Sequence, residues 1–145
     1  MWKEELINVK VADLMAAGVI ADQRHHTIEH VRDLMRRNGI HALPVVNSDG
    51  TIAGIVSSQD LAEDLKGSAP ISGVMSREVY TIPQYNDVHH AARLMRNHRI
   101  HHVVVTHEKE IVGMLSSFDL LKLVEQHRFV MKPGPTPSRK GIRRQ

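Results

Sequence analysis

Two serine–aspartate pairs have the residue types and the spacing to bind a sugar and a phosphate together. Ser57 precedes Asp60 by three residues, and Ser116 precedes Asp119 by the same interval. Each pair follows a β-branched run and precedes an apolar pattern, so we predict it where a strand ends and a helix begins. A helix N-terminus offers unpaired N–H groups to a phosphate. The serine adds a hydroxyl donor, and the aspartate can accept both hydroxyls of a ribose diol.

The same Ser-x-x-Asp spacing is typical of a capping box, in which the serine and the acidic residue satisfy backbone donors at a helix start. A single instance favours this capping role over ligand binding. Two instances at equivalent positions of a repeated sequence raise the case for ligand contact, which the family resemblance given below strengthens, and one residue can serve both roles. We therefore expect a ligand to contact Ser57, Asp60, Ser116 and Asp119.

The chain is a tandem duplication with an offset of 60 residues, which becomes 59 after a shorter turn in the second copy. The shift aligns residues 40–46 with 100–106, and residues 54–61 with 113–120. Each copy has the pattern of a short strand, an amphipathic helix, a hairpin and a last helix that begins at Ser57 or Ser116. The predicted element order is therefore β-α-β-β-α, twice.

The amphipathic helices have predicted ends and apolar faces. Thr27 and Asp87 can accept the orphan N–H bonds at the two helix starts, and Gly39 can end the first helix in the left-handed conformation. The apolar residues of the last helices are predicted to face inward: Leu61, Leu65, Leu120, Leu121 and Val124. One copy of about 60 residues would be marginal alone. We thus predict an α+β (α/β-type) sandwich with the copies packed sheet to sheet about a pseudo-twofold axis.

The sequence Gly-Ile-Val-Ser-x-x-Asp-Leu at residues 54–61, preceded by Ile-His-x-Leu-Pro-Val-Val at residues 40–46, resembles a CBS domain. The two copies together resemble a CBS pair, or Bateman module, in stand-alone form without an effector. We assign repeat 1 to residues 8–66, repeat 2 to residues 67–127, and a basic, proline-rich disordered tail to residues 128–145.

The resemblance implies a regulatory, non-enzymatic module that signals to a separate effector protein by conformational change. It would bind an adenosine nucleotide or adenosyl compound, and the candidates are AMP, ADP, ATP, S-adenosylmethionine and NAD. Relatives often carry Arg or Lys where this chain has Gln59, Phe118, Ala42 and His102. We therefore favour a monophosphate, AMP-like, or an uncharged adenosyl ligand over a triphosphate, and no cofactor is expected to be required.

The resemblance also implies that the ligand clefts are built from both repeats. The first cleft would combine Ser57 and Asp60 with Ile55, Ile100, His101 and the linker residues Pro70 and Ile71. The second cleft would combine Ser116 and Asp119 with Met114, Ile40, His41, Val9 and Val11. His41, His101 and His102 lie where family members often place a basic residue near the phosphates. The resemblance further implies a homodimer formed through the amphipathic helices.

Alternatives to a nucleotide sensor are a metal protein, an enzyme and a pure interaction module. Eleven histidines include His26 and His30, spaced four apart, but there is no cysteine and no HExxH motif; we expect surface histidines and no native metal site. No nucleophile elbow or phosphate-binding loop motif is present, so we expect no enzyme. A protein-interaction and dimerisation module without a ligand stays open as the alternative.

The charge distribution argues against nucleic-acid binding. The net charge is +3, but residues 1–127 hold 13 basic against 16 acidic residues, so the surplus belongs to the tail. A phosphate-backbone partner needs a cationic surface, and a nucleic-acid partner is therefore not expected. The apolar runs fall far short of the roughly 20 residues of a membrane span, and the acidic N-terminus is unlike a signal peptide. We expect a soluble, cytoplasmic protein.

Overall fold

The computed structural model describes residues 9–18, 20–62 and 64–126. In chain order these form α1 (Val11–Leu14), β1 (Ala16–Ala17), β2 (Asp22–Gln23), α2 (Ile28–Asn38), β3 (Ala42–Val46), β4 (Ile52–Ser57), a 3-10 turn (Ile71–Gly73), β5 (Thr81–Pro83), α3 (Val88–His98), β6 (His102–His107), β7 (Glu110–Ser116) and α4 (Ser117–Gln126). The predicted mixed α+β fold is confirmed. The predicted disordered tail lies outside the described residues.

The strands form two sheets, each built around the hairpin of one repeat. The first sheet has the order β2-β3-β4, and the second has the order β1-β7-β6-β5. In both sheets the hairpin is antiparallel, and the short strand before the amphipathic helix runs parallel to the first hairpin strand. The duplicated sequence is therefore also a duplicated structure.

The leading segment of each repeat packs on the other repeat. β1 of the first repeat pairs with β7, with Ala16 opposite Met114. Ser76 exchanges two backbone hydrogen bonds of 2.8 and 2.9 Å with Ile55 in β4. The two leading segments also contribute side chains to the opposite cores. Val11 lies in the core of the second repeat, and Ile71 lies in the core of the first. This exchange joins the two repeats into one unit.

The two amphipathic helices bury equivalent faces but begin differently. In α2 the Thr27 hydroxyl accepts a 3.1 Å bond from the His30 N–H, as predicted, and Gly39 ends the helix at φ 61°. The predicted cap of α3 is wrong, because the Asp87 side chain makes no capping bond. Asp87 instead pairs with Lys10 Nζ at 2.6 Å, and the Val9 carbonyl accepts the first helix N–H.

The predicted last helix of the first repeat is wrong, since residues 58–61 form a turn and no helix follows before the linker in the described chain. The reason lies in the next segment, which must return to the start of α2. There the Gly67 and Ala69 carbonyls accept 2.9 Å bonds from the N–H groups of Glu29 and Ile28. Leu61 is nevertheless buried, as predicted, and Leu65 packs against the same core.

The last helix of the second repeat, α4, forms as predicted but with a different orientation. Leu120 packs against the core and Leu123 joins it. Leu121 and Val124, predicted to face inward, are 56 % and 58 % exposed. A short helix at the edge of a sheet buries one row of side chains spaced three or four apart, and the row of Leu120 and Leu123 takes that place.

Candidate ligand cleft

A cleft of about 480 Å³ opens between the two repeats. Six of the predicted site residues line it, three from each repeat: Ile55, Ser57, Asp60, Ile100, His101 and His102. His41, predicted for the second site, lines it as well. The cleft therefore has contributions from both halves, as the exchanged segments require.

Ser57 and Asp60 form the reciprocal capping arrangement at the end of β4. One oxygen of Asp60, Oδ2, accepts bonds from the Ser57 N–H at 2.8 Å and from the Ser57 hydroxyl at 3.1 Å. The Asp60 N–H donates to Ser57 Oγ at 3.4 Å. Within the described part of the chain, the other carboxylate oxygen forms no hydrogen bond. These bonds use one oxygen of the half-buried carboxylate, and Asp60, which lines the cleft, keeps Oδ1 as an available acceptor.

Ser116 and Asp119 repeat this arrangement in the second half. Asp119 Oδ2 accepts from the Ser116 N–H at 2.9 Å, and the Asp119 N–H donates to Ser116 Oγ at 3.0 Å. Lys122 Nζ lies 4.0 Å from the other carboxylate oxygen. The two pairs therefore share the same hydrogen bonds, although only the second pair begins a helix in the described chain. These bonds do not exclude ligand contact as an additional role.

The residues predicted around Asp119 are distributed over several surroundings. Val11 is fully buried in the second core, and Val9 packs against it. Met114 lies opposite Ala16 in the β1–β7 pairing. Ile40 lines a groove beside α2 with Ser58 and Leu61. The structure thus uses the first segment of the chain as core and as a sheet edge, and a second cleft around Asp119 stays a prediction.

The linker residues Pro70 and Ile71 are not among the residues that line the described cleft. Ile71 is fully buried in the first core, and its N–H donates to the His26 carbonyl at 2.7 Å. Pro70 forms a backbone bridge with Thr27. The linker is therefore held against the start of α2. The chain reaches the cleft only later, where Ser76, Glu78 and Tyr80 line it.

Arg99 is a cleft residue that the sequence interpretation missed. It ends α3 in the left-handed conformation at φ 54°, which is uncommon for a residue with a side chain. The repeat alignment places it opposite Gly39, which has the same conformation. The sequence signal that could have identified Arg99 is the replacement of the helix-ending glycine of the first repeat by a cationic residue in the second. Its guanidinium gives the cleft the planar donor group that suits a phosphate.

His102 is the titratable group most affected by its position at the junction of the repeats. Burial, and then the neighbouring His101, lower the pKa of His102 below the usual histidine value of 6.5. Asp119 opposes this shift, and His41 adds to it. The neutral imidazole is therefore the favoured form in the free protein, so a bound phosphate would have to offset the lowered pKa to recruit a proton there.

This shift predicts a pH dependence of stability. The unfolded chain takes up a proton at His102 as the pH falls through 6.5, whereas the folded chain resists it, so acidification lowers the free energy of unfolding. We expect His102→Gln to reduce the loss of stability between pH 7.5 and a pH near the lowered value, measured by urea unfolding. The control is His107→Gln, at an exposed position of the same strand. Equal pH dependence in wild type and His102→Gln would contradict the prediction.

Two similar repeats that exchange their leading segments and share a cleft define a paired-repeat module. The chain belongs to the CBS domain family, whose profile matches residues 11–67 and 71–126. The two matched regions form a CBS domain pair, which is a regulatory rather than a catalytic module. The resemblance seen in the sequence is therefore confirmed.

Individual relatives show the same family in different settings. The solved CBS domain pair of protein MJ0100, in complex with 5′-methylthioadenosine and S-adenosyl-L-methionine, is 27 % identical with a TM-score of 0.75, over 81 % of this chain and 96 % of that one. Hypoxic response protein 1 of Mycobacterium tuberculosis is 26 % identical over 81 % of this chain and 87 % of its own. A homoserine O-acetyltransferase of Methanocorpusculum labreanum is 34 % identical over 77 % of this chain.

The chain spans about a quarter of the length of these acetyltransferases, 23 % and 25 % in two of them. The similarity therefore concerns one region of the larger proteins. Among the described residues, none of the helices is long and apolar enough to cross a membrane.

Proposed function

We propose that this CBS pair is a regulatory sensor that binds an adenosine nucleotide, most simply AMP, in the cleft between its repeats. The observation that carries the proposal is the convergence of Ser57, Asp60, Arg99 and His101 from both repeats on one cleft of about 480 Å³. That volume lies in the range of small-molecule sites. The adenosyl ligands of the MJ0100 pair support the same ligand class.

Each part of such a ligand has a chemical partner in the cleft. The free oxygen of Asp60 would accept ribose hydroxyls, since a carboxylate forms strong charge-assisted bonds to them. Arg99 and the histidines would face the phosphate, whereas Glu78 lines the same cleft and adds negative charge. Ile55 and Ile100 would enclose the adenine between apolar side chains. The opposing charges favour a monophosphate or an uncharged adenosyl group over a triphosphate.

Signalling would follow from the way the cleft is built. A ligand that contacts both repeats stabilises the relative orientation that it fits best, and it thereby shifts the population of conformations. The proposal includes a separate effector protein that binds one of these conformations, a cytoplasmic location, and repeat boundaries at residues 8–66 and 67–127. No catalytic step is part of it.

The proposal is tested by calorimetric titration of the full chain with AMP, ADP, ATP, S-adenosylmethionine, 5′-methylthioadenosine and NAD. We expect saturable binding of at least one adenosyl compound, tightest for AMP, and a matching rise in the melting temperature. Absence of binding across the whole panel would contradict the sensor function. It would favour the alternative, an interaction and dimerisation module with an empty cleft.

We also propose a homodimer, formed through α4. An interface through the amphipathic helices stays a prediction, although their Met35 and Met95 are buried in the two cores. The exposed apolar residues of α4 are Phe118, Leu121 and Val124, at 75 %, 56 % and 58 % exposure. Apolar side chains that share one side of a helix and stay exposed are typical of a contact surface.

The dimer proposal predicts that Leu121→Lys shifts the protein to monomer, because a buried unpaired charge opposes association. The measurement is sedimentation velocity at micromolar concentration. Tyr85→Lys is the matched control, since Tyr85 is 62 % exposed on another part of the surface. A monomeric wild type, or a dimer unaffected by Leu121→Lys, would contradict the proposed interface.

A further inference from the structure

Asp22, the first residue of β2, is buried without a complete set of partners. It is 6 % exposed, and among the described residues it is the one charged side chain in the buried class. Its Oδ1 accepts a 2.9 Å bond from the Gln23 N–H and contacts His26 Nδ1. Its Oδ2 is buried and has no hydrogen-bond partner in the described part of the chain. A buried carboxylate oxygen left unpaired is costly, so this oxygen indicates a missing partner.

Two histidines converge on this carboxylate. His26 lies in the turn before α2, and His30 lies in the first turn of α2. The nitrogen His30 Nε2 is 3.2 Å from Asp22 Oδ2, close enough for an ion pair but not aligned as a hydrogen bond. One ligand atom from each of the three residues lies within 4.8 Å of the others.

One of these separations is near the value that a tetrahedral metal ion requires. Zinc bonds of about 2.0–2.1 Å to nitrogen and oxygen place neighbouring ligand atoms about 3.3 Å apart. The 3.2 Å between His30 Nε2 and Asp22 Oδ2 is already near that value. Imidazole nitrogens together with a carboxylate are also a donor set that suits Zn²⁺.

We propose that Asp22, His26 and His30 form a site for Zn²⁺ or a similar divalent transition-metal ion, with water as the fourth ligand. The surrounding backbone holds the three ligands in place. Asp22 is fixed in β2 by its pairing with Val45 of β3, and Thr27 caps the helix turn that carries His30. Both histidines are partly exposed, with 37 % and 47 % of their side chains accessible, and the proposal departs from the expectation of no native metal site.

A second histidine cluster has no unpaired carboxylate of this kind. Asp87, His89 and His90 also lie within metal-binding distances, but Lys10 Nζ is 2.6 Å from the Asp87 carboxylate. The Lys10 ammonium already pairs with the Asp87 carboxylate, and its positive charge repels a metal cation. The repeat offset also places His90 at the position equivalent to His30, so His90 supplies a matched control.

The proposed ion would stabilise the turn before α2, whose backbone accepts hydrogen bonds from the linker between the repeats. The His26 carbonyl accepts the Ile71 N–H at 2.7 Å, and the Arg24 carbonyl accepts the Ser72 N–H at 3.2 Å. The metal ligands and the linker contacts thus belong to one turn of the chain. We expect Zn²⁺ to raise the melting temperature, because an ion that binds only the folded state stabilises it.

The test is titration of the chelator-treated full chain with Zn²⁺, followed by calorimetry, and with Co²⁺, followed by the visible absorption of tetrahedral cobalt. We expect one ion per chain with the cobalt signal, a loss of affinity of at least about 100-fold in His30→Ala, and unchanged binding in His90→Ala, since even residues behind the ligands change affinity by about 10–100-fold. The His30 side chain is 47 % exposed, so its truncation should leave the fold intact.

Two results would overturn the proposal. One is the absence of Zn²⁺ binding to the wild type, and the other is equal weakening by His30→Ala and His90→Ala, which would indicate scattered surface binding. Asp22→Asn provides a second variant, with circular dichroism to verify folding. A folded Asp22→Asn chain that keeps full affinity would also contradict the site, and if this variant does not fold, the His30 and His90 pair alone gives the answer.

Discussion

Asp60→Ala is expected to weaken binding of the adenosine ligand by about 1.5–3 kcal/mol, the range for a lost hydrogen bond to a charged group. This corresponds to roughly a 10- to 150-fold rise in the dissociation constant. The physical reason is that the free Oδ1 at the cleft is the carboxylate oxygen that capping does not use. The measurement is calorimetric titration with the compound from the adenosyl panel that binds tightest.

The same substitution also removes the bonds that Asp60 accepts from the Ser57 N–H and hydroxyl in the turn after β4, so its effect on folding must be separated from its effect on binding. Asp119→Ala removes the equivalent bond in the second repeat, where the Ser116 N–H donates to Asp119 at 2.9 Å at the start of α4. Each variant should lose about 1 kcal/mol of stability, typical of a lost cap. Only Asp60→Ala should lose affinity for a ligand in the described cleft. Unchanged affinity in folded Asp60→Ala would place the binding site elsewhere.

Gly54→Ala is expected to lower the free energy of unfolding by about 1–3 kcal/mol, the usual cost of forcing extra atoms into a packed interior. A Cβ at this position would lie 2.6 Å from the Ser76 carbonyl oxygen and 2.7 Å from Met75 Sδ. Both atoms belong to the segment that crosses from the second repeat onto β4. The added methyl group must therefore displace that segment, and urea unfolding measures the loss.

Gly73→Ala is the control for this substitution. No heavy atom lies within 4 Å of a Cβ built there, and its backbone is not among those with positive φ. We expect unchanged or slightly raised stability, because alanine restricts the unfolded chain. Ser76 also lines the cleft, so Gly54→Ala should weaken nucleotide binding as well. Equal stability of the two variants would show that the crossing segment adapts without cost.

The features that were predictable from the sequence are those encoded by local periodicity and by the duplication. The hairpins, α2 and α3 follow from short-range patterns, and the repeat alignment placed Ser57–Asp60 and Ser116–Asp119 at equivalent strand ends. The capping role of these pairs also followed from their spacing. Such features depend on neighbours in the chain, which a single sequence displays directly.

The features that were not predictable depend on contacts between distant segments. No helix follows Ser57 in the described chain, because the Gly67 and Ala69 carbonyls accept hydrogen bonds from the first N–H groups of α2. The burial of Ile71 in the first core also depends on contacts between distant segments. The burial of Asp22 beside His26 and His30 likewise arises from the pairing of β2 with β3, and spacing alone does not reveal it.

The exchange of leading segments has a consequence for the time order of folding during synthesis. A ribosome releases the N-terminal part first, yet α1 finds its place only when β7 exists, near the end of the described chain. The hydrophobic core of the first repeat likewise stays incomplete until Ile71 has been synthesised. Neither repeat can therefore complete its core before the other has been synthesised. Until then, the apolar residues of the N-terminal segment of the nascent chain stay exposed to solvent.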